Sequence, residues 1–157
     1  MHTDVIDVLV AIDTELIAKS VGFNNSASNP SPVDPSHVSI TASSQSAKDN
    51  NLFFNLMDPV YWRVSAIGPG DPCEIYDFVG TDEVITQPQL ESLNGTTLTP
   101  NPENPSDPTV NNNIKLWHWK STAGRKGQAT CGIRFVIVGS EGRQTGYYQC
   151  NIPITTS

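Results

Sequence analysis

Near its start the chain alternates strictly, with Ile6, Val8, Val10 and Ile12 apolar on one side and Asp7, Leu9 and Ala11 on the other. A period of two with β-branched residues on the apolar side predicts a buried strand over Asp4 to Asp13. The pattern then changes. Asp13 or Thr14 can accept from the free N–H groups of a first helical turn, Glu15 sits at its positive end and Gly22 can close it. One or two turns of helix follow from this. From Phe23 to Ser36 the chain is rich in Asn, Ser and Pro, with Pro30, Pro32 and Pro35. Proline removes a donor and fixes φ, so this stretch reads as a long surface loop.

Three strand-like runs come next, His37 to Ala42, Lys48 to Leu56 and Tyr61 to Ile67, the last with Trp62, Val64 and Ala66 alternating against Tyr61, Arg63 and Ser65. Gly68-Pro69-Gly70-Asp71-Pro72 forces a break, and Cys73 to Val79 resumes as a strand. Gly80 to Asn113 holds five prolines (Pro88, Pro100, Pro102, Pro105, Pro108) and little periodicity, so it reads as a second long connection, either functional or packed as an extended cover. The last third is the most regular, with strands at Ile114 to Ser121, Thr130 to Val138 and Thr145 to Ile154, joined by turns at Gly124 to Gly127 and Gly139 to Gly142. Short connections imply antiparallel hairpins. The expected fold is all-β: one domain over residues 1–157, an antiparallel two-sheet β-sandwich of about seven to eight strands with one short helix and two long Pro/Asn-rich loops. No internal repeat is present.

Composition agrees with that fold. Twenty-three of the 157 residues are Pro or Gly and only 16% are charged, which suits short strands joined by polar turns and not a helical bundle. The net charge of −7 argues against DNA or RNA as a partner, since nucleic-acid affinity is built on Lys and Arg facing phosphates. That total hides a division. Residues 1–110 hold three basic and fifteen acidic side chains, net −12, whereas residues 111–157 hold six basic residues against Glu141 alone, net +5. Either the basic hairpins lie beside acidic strands within one subunit, or copies of the chain associate through complementary charge. No apolar run reaches the eighteen or so residues of a membrane span, and the N-terminus carries no basic leader, so a cytoplasmic product with no membrane partner is expected.

Catalytic patterns are thin. Cys73, Cys131 and Cys150 form no C-x-x-C pair; they read as free buried thiols, with a Cys131 to Cys150 bridge as the alternative. His2, His37 and His118 show no metal spacing, and no serine sits in a G-x-S-x-G elbow. Gly124-Arg125-Lys126-Gly127 lacks the order and the following helix of a phosphate loop. No metal and no cofactor are therefore expected. A hydrolase would need a deep pocket that brings a carboxylate within reach of His37 or His118.

Two aromatic clusters remain, Tyr61-Trp62-Arg63 and Trp117-His118-Trp119. Trp117 and Trp119 point one way, Leu116 and His118 the other. If Leu116 is inward, both tryptophans face outward as a subunit interface or a sugar-stacking platform; otherwise they are core. Tyr61, Arg63, Trp117 and Trp119 are thus the candidate interface or ligand-binding residues.

The assembled pattern resembles the AidA/PixA family of bacterial inclusion body proteins. The carrying residues are Asp7-Val8-Leu9-Val10-Ala11-Ile12-Asp13-Thr14 with the Pro/Asn-rich loop after it, Val64-Ser65-Ala66-Ile67 entering a Gly/Asp turn, and Gly146-Tyr147-Tyr148 before a final strand containing Pro153. The resemblance implies a small soluble protein of Gram-negative bacteria, abundant at high cell density, deposited in some members as intracellular inclusions and linked in others to quorum sensing and host interaction. It brings no enzymatic activity and no catalytic residues. The expected function is a non-enzymatic, self-associating protein, a homodimer or higher assembly. The alternative is a lectin-like module that binds a carbohydrate, small ligand or host molecule through Trp117, Trp119 and Tyr61.

Overall fold

The computed structural model describes residues 5–139 and 145–157. Its elements in chain order are β1 (Ile6–Ile12), α1 (Thr14–Val21), β2 (Ser31–Pro32), β3 (Val38–Ala42), β4 (Ala47–Lys48), β5 (Asn51–Phe54), β6 (Pro59–Ala66), β7 (Cys73–Val79), β8 (Gln89–Thr99), β9 (Thr109–Thr122), β10 (Gly127–Val138) and β11 (Thr145–Thr156). They form two sheets. The first runs β3-β1-β6-β9-β8; the second runs β4-β5-β11-β10-β7, with β2 also paired to β11.

Alternation along each strand decides which side chains enter the space between the sheets. Ile6, Val8, Val10 and Ile12 of β1 are buried while Asp7 and Leu9 face outward. Across from them lie Leu52, Phe54, Ile133, Phe135, Ile137, Ile152 and Ile154 of the second sheet. Trp62 spans the middle of the sandwich, edge-on to Phe54 at 6.4 Å and to Phe78 at 5.1 Å. Its buried Nε1 donates to Ser121 Oγ at 3.1 Å, which satisfies a donor that would otherwise cost about 1–3 kcal/mol. α1 is as its sequence indicates: Asp13 accepts from the Leu16 N–H at 3.1 Å, and Gly22, at φ 78°, ends the helix by donating to the Ala18 carbonyl.

The two-sheet, all-β architecture with one short helix is therefore what the alternation indicated. Three details differ. The described residues hold eleven strands, because the chain adds the two-residue bridges β2 and β4 and the long β8. The sheets are mixed: β1 pairs parallel with β6, and β11 pairs parallel with β2 and with β5. Alternation marks a half-buried strand but carries no information on the direction of its neighbour, which depends on the path of the connecting chain. The stretch from Gly80 to Asn113 is not a structureless connection, since it supplies all of β8 and the first five residues of β9. Pro88 and Pro100 bound β8, and the remaining prolines lie in the tip between the two strands or, in the case of Pro108, immediately before β9. Of the turn expected at Gly139 to Gly142, all but Gly139 lies outside the described residues, as does His2.

Candidate functional site

β8 and β9 form a two-stranded ribbon longer than the sheet it belongs to. Their pairing extends from Gln89 opposite Lys120 to Thr99 opposite Thr109, but β6 pairs with β9 only over Trp119 to Thr122. Beyond Trp119 the ribbon pairs with no third strand among the described residues. The body covers the ribbon less beyond that point, so side chains that alternation would bury remain exposed. Leu90, Leu93, Leu98, Val110 and Trp117 are each more than half exposed; among the described residues, Met57 is the one other large apolar side chain with that much exposure. Single exposed apolar side chains are ordinary, whereas four on one face of a ribbon (Leu90, Leu98, Val110 and Trp117), with Leu93 on the other, call for a partner.

The ribbon also carries a bulge, and its position matters. Gly95 faces Ile114 and Thr97 faces Asn111, so the extra residue belongs to β9, where Asn113 adopts φ 60°. β8 itself keeps an unbroken alternation. Leu90, Ser92, Asn94, Thr96 and Leu98 share one face, and Glu91, Leu93, Gly95 and Thr97 share the other. As the last strand of its sheet, β8 pairs on one side only.

The four residues singled out in the sequence fall on two different faces. Trp119 turns inward opposite Trp62 and packs on Phe78 at 5.5 Å. Trp117 points the same way but lies at the margin of the opposing sheet, where it lines a hollow of about 110 Å³ with Leu90, Val64 and Glu74 and its side chain stays more than half exposed. Partial burial holds the Glu74 carboxyl above its usual range. Tyr61 and Arg63 are on the outer face. The Tyr61 ring stacks on His118 at 4.6 Å with the Lys120 ammonium 5.9 Å from its centroid, and Arg63 reaches Asp7 at 3.3 Å in an exposed pair worth little. Trp117 and Tyr61 thus do not share one platform.

His118 is buried beneath Tyr61, and its Nε2 lies 2.7 Å from Glu91 Oε1, which ties β8 to β9 on that face. This is the carboxylate and histidine pairing a hydrolase would need, but among the described residues no hydroxyl or thiol bonds to the ring and no deep cavity opens beside it. His37 lies elsewhere, at the end of the Pro35–His37 turn. No group of three or more His, Cys, Asp or Glu among the described residues could hold a metal. The larger hollows, such as one of about 450 Å³ between α1 and the Pro69–Asp71 turn, are open surface depressions. The three cysteines are free and buried, and Cys131 and Cys150 face Ile152 and Ile133 rather than each other. Some of the charge division closes within one copy, where Arg134 lies 3.9 Å from Asp77. No described helix is long and apolar enough to cross a membrane.

Sequence reasoning missed Leu90, Leu93 and Leu98. Asn94-Gly95 looks like a turn, and a strand exposed on both faces has no hydrophobic period to find. The signal that was present is the proline cluster of residues 100–108 flanked by Thr96-Thr97-Leu98-Thr99 and Thr109-Val110, the composition of a hairpin tip between two strands.

The family model described as PixA, inclusion body protein, matches residues 4–156. Among solved structures, the chain is similar to the crystal structure of an inclusion body protein (PixA) from Burkholderia cenocepacia J2315, with a TM-score of 0.75 and 17% identity over 100% of this chain and 98% of that one. At that identity the likeness concerns the fold. No curated protein matches the chain.

Proposed function

Because the chain belongs to the PixA inclusion body protein family, we propose that it is a non-enzymatic protein of the cytoplasm whose role is carried out through association with copies of itself. The observation that carries this reading is the β8–β9 ribbon, which leaves Leu90, Leu93, Leu98, Val110 and Trp117 more than half exposed on an element that extends beyond its pairing with β6. Packing these side chains against a second subunit would remove apolar area from water at about 25 cal/mol per Å². The family's description as inclusion body proteins is consistent with a chain that assembles.

The test is to delete residues 96–115, which leaves Asn94-Gly95 as a two-residue hairpin turn between Leu93 and Leu116. Sedimentation over a wide concentration range should give an oligomer for the whole chain and a folded monomer for the shortened one. A whole chain that is monomeric at every concentration and ionic strength would sink the proposal. Quenching of indole fluorescence by added sugars, with no change in sedimentation, would favour instead a carbohydrate-binding module built on Trp117.

A further inference from the structure

We infer that the assembly seam is the free edge of β8, paired antiparallel with β8 of a second copy about a two-fold axis through Asn94. This rests on the self-association proposed above and says which surface performs it. An edge strand presents a row of unpaired N–H and C=O groups, and proteins that must stay apart blunt such edges with charge, proline or short length. The other edges are blunted in these ways. β3 has five residues and β4 two, and β7 carries Glu74 and Asp77. β8 runs eleven residues, about 37 Å at 3.4 Å each, without an internal proline. Its one charge, Glu91, is already engaged by His118. Because the bulge belongs to β9, the β8 edge is regular along its whole length.

The occupant follows from the geometry of a strand meeting itself. Two antiparallel copies of one strand are self-complementary, the requirement for a closed two-fold interface. Pro88 and Pro100 bound the segment that can pair, and full overlap of Gln89–Thr99 fixes the register. Asn94 then faces itself, Leu90 faces Leu98 of the second copy, Ser92 faces Thr96, and Glu91 faces Thr97. No like charges meet. The Leu90 and Leu98 pairs, formed twice by symmetry, cover side chains that are otherwise more than half exposed. On the opposite face, Leu93 of one copy meets Gly95 of the other, where Leu116 already lies across the glycine. The first sheet would continue through the axis into that of its mate.

Cysteine cross-linking of the full chain tests the register, and the native thiols do not interfere because all three are buried. Directly opposed residues in an antiparallel pair have Cα atoms about 4.5 or 5.5 Å apart, within disulfide range. Asn94→Cys should therefore give a covalent dimer under mild oxidation. Ser92→Cys or Thr96→Cys alone should not, since each lies about 14 Å from its own mate, but a mixture of the two should. Leu98→Lys, exposed and thus compatible with folding, should weaken dimerisation about tenfold or more. If the chain sediments as an oligomer while Asn94→Cys and the mixture stay uncross-linked and Leu98→Lys changes nothing, the β8 seam is wrong although self-association stands. A whole chain that is monomeric throughout overturns both.

Discussion

A thiol at the centre of a sandwich is a poor acid, and this core contains three. Burial pushes Cys73 and Cys131 up to about 12 and Cys150 up to about 11, from an ordinary value of 9.0. Well below pH 9 the folded and the unfolded thiols both stay protonated, so they do not alter the balance. Between about 9 and 12 the unfolded chain releases these protons and the folded one keeps them, which favours unfolding. The urea midpoint should therefore fall as pH rises through that range. A variant with Cys73→Ala, Cys131→Ala and Cys150→Ala should start lower, because of the volume lost, and decline less. An equal decline in both would assign the effect to other groups, such as Tyr148, whose hydroxyl burial also shifts upward. Trp117 and Trp119 illustrate how far a residue can be read from its neighbours. Spacing established that they point the same way, but whether a ring is buried depends on where the opposing sheet ends, and that boundary is not written in either tryptophan.

At the scale of elements, the strands that pack on both sheets were legible and the ribbon was not. β1, β6, β10 and β11 bury one face against a partner sheet, so their sequences alternate and can be recognised. β8 has no such constraint. Its threonines, leucines and Asn-Gly satisfy backbone pairing alone, and the same letters fit a loop. Parallel pairing was equally hidden, because it depends on connections and not on the strands themselves. The ribbon's isolation has a measurable counterpart. Amides of Thr97, Thr99 and Asn111 should exchange with solvent much faster than those of Val10, Ile133 or Ile152, since opening the distal ladder disrupts no core. Raising the concentration into the assembled range should slow exchange along β8 specifically. Uniform protection across ribbon and body would contradict the picture of an unsupported arm.

For the molecule as a whole, the division of charge and the exposed ribbon predict opposite responses to salt. Association by complementary charge weakens as ionic strength rises, whereas a seam of backbone pairing and leucine contacts does not. With Glu91 held by His118, and with Arg134 and Asp77 neighbours inside one copy, the oligomer should persist unchanged in 1 M salt. Dissociation there would return the assembly to the charges of the C-terminal strands. The position of β11 has a different consequence, for synthesis. It occupies the middle of the second sheet, between β5 and β10, and its last residues pair with Leu52 to Phe54. A growing chain on the ribosome therefore holds a split second sheet, with raw edges at β5 and β10, until residues 145–157 have emerged. Any product that stops short of β11 is a substrate for chaperones and proteases, not a smaller version of the protein.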